Sequence, residues 1–268
     1  MELNDRVTVI TGAGSGIGRA TAHAFAAAGA RLVVVADLHQ EKADAVADAI
    51  GDQAIGVAVD VADDDALASL CRRIDEEHGP IDVFFSNAGY GQRGGIDITN
   101  ADWRQMMDVH FTSHLTVARE LLPAMMARGD GYLFSTASAA GLLTQMDSGP
   151  YAVSKAAAVA FAEWLAINYG PKGVKVSVLC PQAVRTNIIG DDLSEWDRGN
   201  QASTDGVLDP DDVAAMVVET IREERFLLLP HEQVETYMQR KADDPERWIA
   251  GMQRFRDRLE AAGEYTVS

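Results

Sequence analysis

TGAGSGIG, residues 11–18, is the stretch from which the fold of this chain is read. The apolar run RVTVI (6–10) leads into it and the alanine-rich RATAHAFAAAG (19–29) leads out, so Gly12, Ser15, Gly16, Ile17 and Gly18 sit at a strand-to-helix turn. Glycines there allow close backbone approach, and the free N–H groups at the positive end of a helix suit a diphosphate. A glycine-rich turn on its own could equally serve only to reverse the chain.

Outward from this turn the same alternation repeats. After RVTVI, β-branched runs recur at RLVVVA (31–36), AIGVAV (54–59), IDVFFS (81–86), GYLFS (131–135), VKVSVL (174–179) and RFLLL (225–229). Ten or more residues with helical spacing follow each of the first six. This pattern predicts an α/β protein, a parallel sheet with helices on both faces. Helix punctuation agrees: Gly29 ends the first helix, ADDDAL (62–67) loads acid into a helix start, and EEHGP (76–80) stops that helix. With 47% hydrophobic residues, no linker and no internal repeat, residues 1–268 read as one domain.

Composition narrows the function. A formal charge of −18 argues against nucleic acid and anionic membrane surfaces as partners. MELNDRV carries no leader-like features and no run is apolar enough to span a membrane, so a soluble, cytoplasmic protein is expected. Cys71 and Cys180 stand far apart without metal-spaced neighbours, which predicts neither a disulfide framework nor a zinc site.

A second signal supports a dinucleotide at the glycine turn. Asp37 ends RLVVVAD, where a carboxylate can accept hydrogen bonds from both adenosine ribose hydroxyls. A 2′-phosphate would be repelled there, and neither Ser15 nor Leu38 offers a compensating cation. NAD is therefore expected rather than NADP, with Leu38 bordering the same site.

TGAGSGIG, Asp60-Val61, NAG at 87–89, Ser138 and YAVSK at 151–155 follow one another in an order that resembles the classical short-chain dehydrogenase/reductase family. The resemblance covers about residues 5–230, leaving 231–268 as a C-terminal helical extension. It implies a single-domain Rossmann fold with a doubly wound seven-stranded parallel sheet, and a homodimer or homotetramer. It also implies that Asp60 and Val61 border the adenine, that Asn87, Ala88 and Gly89 line the cofactor cleft, and that Ser138, Tyr151 and Lys155 are catalytic. Tyr151 and Lys155 share a helix face, where an ammonium and a positive nicotinamide ring would favour phenolate. Tyr151 would take a proton from a substrate hydroxyl as hydride leaves for NAD, and Ser138 would stabilise the substrate oxygen. Lys155 would also hold the nicotinamide ribose.

Two positions depart from the family pattern. His110 stands where the family commonly has an Asn whose carbonyl holds a water linked to the lysine; the ring could join the proton relay or give structural support. His114, four residues on, lacks a third ligand for zinc. In PQAVRT (181–186), Gln182 replaces the usual Gly after Pro181 and is a candidate substrate contact, while Thr186 is expected to bond the nicotinamide carboxamide.

The substrate pocket is expected from Tyr90, Gln92, Leu142, Leu143, Gln145, Met146, Gln182, Asn187, Ile188, Ile189 and Trp196. This set favours a fairly apolar secondary alcohol or ketone such as a steroid, terpenoid or aromatic carbinol. Residues 187–209 read as a lid and GEYTVS (263–268) as a loose tail. DDPERW caps a helix whose Trp248, Met252, Phe255 and Leu259 form an apolar stripe, suited to packing on the parent domain, the cleft or a subunit interface. An NAD(P)H-dependent ketone or 3-oxoacyl reductase is the alternative enzyme, and a non-catalytic dinucleotide sensor the alternative of another class; a sensor would be expected to lose the Ser, Tyr or Lys that are present.

Overall fold

The computed structural model describes residues 1–186 and 201–263. Seven strands form one parallel sheet: β1 (Val7–Thr11), β2 (Leu32–Asp37), β3 (Ala54–Ala58), β4 (Val83–Ser86), β5 (Gly131–Thr136), β6 (Val174–Leu179) and β7 (Leu227–Leu228). Their order is β3-β2-β1-β4-β5-β6-β7, the single α/β Rossmann-type domain expected. The order reverses between β1 and β4, so the loops after these strands diverge and open a crevice at their carboxyl ends.

Alternate residues of each strand face opposite layers. Val7, Val9, Val34 and Phe84 pack with Leu67 and Leu70 of α3 (Asp64–His78), Leu121 of α5 (Ser113–Arg128) and Leu165 of α7 (Gly149–Tyr169). Ile10, Val33, Val35 and Phe85 pack on the other face with Phe25 of α1 (Gly16–Ala27), Val46 of α2 (Gln40–Ile50) and Val217 of α8 (Pro210–Glu223). Phe25 is fully buried, so truncating it to Ala would cost about 3–5 kcal/mol. The caps follow the sequence signals: Asp63 accepts from Ala66 N at 3.0 Å to start α3, and Gly79 (φ +89°) ends it.

Between β4 and α5 lie α4 (Asn100–Met107) and a π-type turn over Asp108–Thr112, which carries His110. The short α6 (Ala139–Leu143) follows β5 and precedes α7. At the C-terminus, Asp244 caps α10 (Pro245–Ala261), accepting from Arg247 N at 2.9 Å. Of the apolar stripe, Leu259 is buried and Trp248 packs on Tyr237, their ring centroids 6.3 Å apart. A further helix that the sequence reading did not name, α9 (Gln233–Asp243), joins this extension to the domain. Its Val234 packs on Ala139 and Leu143, and Lys241 Nζ donates to Leu142 O at 2.6 Å. Among the described residues no helix is long and apolar enough to cross a membrane.

Candidate active site

A cleft of about 970 Å³ opens at the carboxyl ends of the strands, with the glycine turn at one end. Gly12 adopts φ +63°, and a Cβ there would come within 2.8 Å of Ala88 Cα, so only glycine fits. Ser15, Gly16 and Ile17 line the cleft at the start of α1, whose first N–H groups receive no side-chain cap from Ser15. That leaves donors at a positive helix end for an anionic group. Gly18 does not line the cleft; a Cβ there would lie 2.3 Å from Gly12 O, so it serves the packing of α1 on the turn.

Asp37 is fixed from both oxygens. Oδ2 accepts from Gly14 N at 2.9 Å and Oδ1 from His39 N at 3.1 Å, which holds the carboxylate at the cleft wall. Leu38 and Asp60-Val61 line the same region, Asp60 Oδ1 accepting from Ala62 N at 2.9 Å. Donors at the turn and acceptors at Asp37 fit the diphosphate and ribose of a dinucleotide.

Asn87 ties three strands together beneath Ala88 and Gly89. Its Nδ2 donates to Thr11 O at 3.1 Å, its Oδ1 accepts from Thr136 Oγ1 at 3.0 Å, and its backbone N donates to Thr11 Oγ1 at 3.0 Å. Thr11 and Thr136, which the sequence reading passed over, end β1 and β5; their position at strand ends beside NAG was the available signal.

The expected catalytic residues meet at the other end. Ser138 caps α6, accepting from Ala140 N at 3.1 Å while its hydroxyl lies 3.4 Å from Pro181 O. Ser148 caps α7, accepting from Tyr151 N at 3.3 Å, and so starts the helix that carries both Tyr151 and Lys155. Burial raises the pKa of the Tyr151 hydroxyl, an effect that its hydrogen bond with Ser138 opposes. Lys155 is buried, donates to Thr136 O at 2.9 Å, and is pushed down to about 7 by loss of solvent. Its Nζ lies 5.7 Å from the centre of the Tyr151 ring. The protein alone therefore keeps Tyr151 a neutral phenol; a positive charge arriving in the cleft would shift it towards phenolate.

His110 is buried beside this pair but does not line the cleft. Nε2 accepts from Tyr90 N at 3.2 Å and Nδ1 lies 2.9 Å from Ser154 Oγ, which donates to Tyr151 O at 3.0 Å. These partners assign the proton to Nδ1, and both ring nitrogens are occupied. Burial, then Lys155 and His114, hold His110 well below the usual imidazole range. His114 is likewise buried, with Nδ1 unpartnered among the described residues, and is pushed down to about 3.

Unfolded histidine takes up a proton near pH 6.5 and folded His114 only near 3, so stability falls as pH drops through that window. His114→Phe is expected to flatten the stability-pH curve between pH 6 and 4 by roughly 1.4 kcal/mol per pH unit. Urea unfolding at several pH values measures it; parallel curves for parent and variant would refute it.

On the substrate side, Tyr90, Gln92, Leu143, Gln145 and Gln182 line the cleft as expected, and so do Pro181 and Thr186. Leu142 and Met146 do not: Leu142 faces the C-terminal helices, and Met146 N donates to Gln201 Oε1 at 3.4 Å. Asn187, Ile188, Ile189, Trp196, most of the expected lid and all but the first residue of the tail fall outside the described residues. The sequence reading also missed polar wall residues, among them Asp102, Gln105 and Asp147. Asp147 pairs with Arg93 Nε at 3.3 Å and accepts from Gln145 Nε2 at 2.5 Å.

Residues 6–196 match the family model for short chain dehydrogenase. The chain is 33% identical over 221 residues to meso-2,3-butanediol dehydrogenase of Serratia marcescens, covering 81% of this chain and 87% of that one. It is 33% identical over 259 residues to 1-deoxy-11-beta-hydroxypentalenate dehydrogenase of Streptomyces exfoliatus, covering 93% and 92%. A solved short chain dehydrogenase/reductase from Burkholderia phymatum in complex with NAD superposes with a TM-score of 0.83 at 30% identity, covering 92% of this chain and 96% of that one.

Proposed function

The chain belongs to the short chain dehydrogenase family, and from that premise we propose an NAD-dependent oxidoreductase that interconverts a secondary alcohol and a ketone. One observation carries the reading: Ser138, Tyr151 and Lys155 converge at one end of a cleft whose other end holds the glycine turn and a fixed Asp37. The nicotinamide cofactor, when bound, accepts or returns the hydride. Tyr151 takes the proton from the substrate hydroxyl in oxidation and returns it to the carbonyl in reduction. Ser138 Oγ orients the substrate oxygen, and Lys155, anchored on Thr136 O one helical turn from the phenol, supplies positive charge in its protonated form. Assay with NAD and NADP against secondary alcohols and ketones tests this; no turnover with either cofactor would overturn it.

In this reading His110 is a fixed bracket between the Tyr90 turn and α7 and exchanges no proton. His110→Asn is expected to leave the pH midpoints of kcat/KM within about 0.3 unit while lowering Tm by several degrees, since bonds to buried partners are lost. A displaced midpoint would restore the relay.

The apolar substrate expected from the sequence fits Leu143 and Val109, but Gln92, Gln145 and Gln182 also line the cleft. We therefore favour an apolar ring or chain that carries polar groups, a description that suits the names of the Serratia and Streptomyces relatives. A homodimer or homotetramer is supported by exposed Val153, Trp164 and Ile167 on one face of α7. Buried free thiols at Cys71 and Cys180 support a reducing, cytoplasmic setting. Residues 5–230 serve as the catalytic core and 231–268 as its extension.

A further inference from the structure

We propose that the side-chain amide of Gln182 recognises a second hydroxyl on the substrate, so that the substrate class is a diol or hydroxyketone. The inference rests on the alcohol-ketone reading above and narrows it.

Gln182 sits where the position can select. Its neighbour Pro181 lies against Ser138 through O, 3.4 Å from the serine hydroxyl, and accepts from Ala139 N at 2.9 Å. The Gln182 backbone is held from behind, its N donating to His231 Nδ1 at 3.3 Å. His231 is buried, and burial lowers its pKa, so the ring stays neutral and carries its proton on Nε2. A neutral ring accepting that N–H fixes the backbone and leaves the amide to be positioned by what it meets.

That amide is not satisfied by the protein. Gln182 lines the cleft, yet its Oε1 is buried without a hydrogen-bond partner among the described residues. Asp205 Oδ2 is also buried and unpartnered among the described residues, although Asp205 Oδ1 accepts from Tyr237 OH at 3.0 Å. Leaving a buried polar atom unpaired is costly, and natural cores rarely do so without a ligand or water to complete the set. The buried Tyr132 hydroxyl shows the usual case, lying 2.6 Å from Ser177 Oγ.

The chemistry of the partner follows from the amide. Its two ends present an acceptor and a donor pair, and their assignment can be exchanged by a half-turn. A hydroxyl both donates and accepts, so it satisfies whichever end faces the cleft, whereas a methylene satisfies neither. The family pattern has Gly at this position, where no side chain could make such a contact.

Two arms test the proposal with cyclohexanol and cis-1,2-cyclohexanediol as probes. In the first, their dissociation constants are measured by ligand-observed NMR on Tyr151→Phe protein loaded with NAD, with and without Gln182→Met. The diol is expected to bind at least tenfold more tightly than the mono-alcohol, and Gln182→Met is expected to bring that ratio to about one. Gln182→Gly, which restores the family's residue, is expected to do the same should the Met variant misfold. An unchanged ratio, a parallel loss for both probes, or a shift only in NAD affinity would each overturn the proposal. The second arm is turnover by the parent across secondary alcohols. Its failure counts against the alcohol-ketone reading, while the binding ratio still decides the role of Gln182.

Discussion

Tyr151→Phe is expected to lower kcat for alcohol oxidation by roughly 10³-fold while NAD still binds. The variant keeps the ring and therefore the packing against His110, whose ring centroid lies 5.5 Å away. It removes only the oxygen that faces Ser138 and the substrate. The parent should also show a pH dependence that the variant lacks. Burial holds Tyr151 protonated at neutral pH, so the oxidation rate should rise with pH as the phenol ionises, and reduction should show the opposite slope. Stopped-flow measurement of hydride transfer from pH 6 to 10, in parent and variant, reads both effects. Full turnover by the variant would remove Tyr151 from the reaction.

The second large effect concerns the coenzyme. The parent is expected to favour NAD over NADP by roughly 10²-fold in kcat/KM, and Asp37→Ala to bring the two within about tenfold. The Asp37 carboxylate is held in place. With one oxygen held by Gly14 N at 2.9 Å and the other by His39 N at 3.1 Å, the carboxylate cannot swing away from a 2′-phosphate. Leu38 beside it brings no positive charge and stands 60% exposed. Steady-state kinetics with both coenzymes decides the matter, and near-equal use by the parent would contradict it.

The central strands β1, β4 and β5 were legible because they are buried on both faces, which leaves near-continuous apolar runs in the sequence, whereas the edge strand β3 has no fully buried residue. Even RFLLL marked a strand, although only Leu227–Leu228 pair in the sheet. Helix α9 falls within the helical extension expected over 231–268, but its bounds were not marked. QVETYMQRKAD offers Val234, Tyr237, Met238 and Ala242 as a short apolar set, and the helix is held by docking on α6. Of Leu142 and Leu143, only Leu143 reaches the cleft, because neighbours on a helical turn point about 100° apart and a short helix gives no period to choose between them. The partners of His110 could not be foreseen, since its two nitrogens find Tyr90 and Ser154, 20 and 44 residues away. Motifs locate the reacting groups; the bonds that fix them are long-range and belong to the fold.

The docking of α9 on α6 alters where the catalytic unit ends. A helix of five residues such as Ala139–Leu143 cannot persist by itself, because nucleating a turn costs more than so few bonds return. Here Val234 supports its underside and Lys241 Nζ caps Leu142 O at 2.6 Å, ninety-nine residues along the chain. The boundary drawn near residue 230 on motif grounds thus separates a wall of the cleft from its own buttress. Transplanting the pocket into a related scaffold means moving residues 139–147 and 233–243 as one cassette, because either piece alone loses the partner that shapes it.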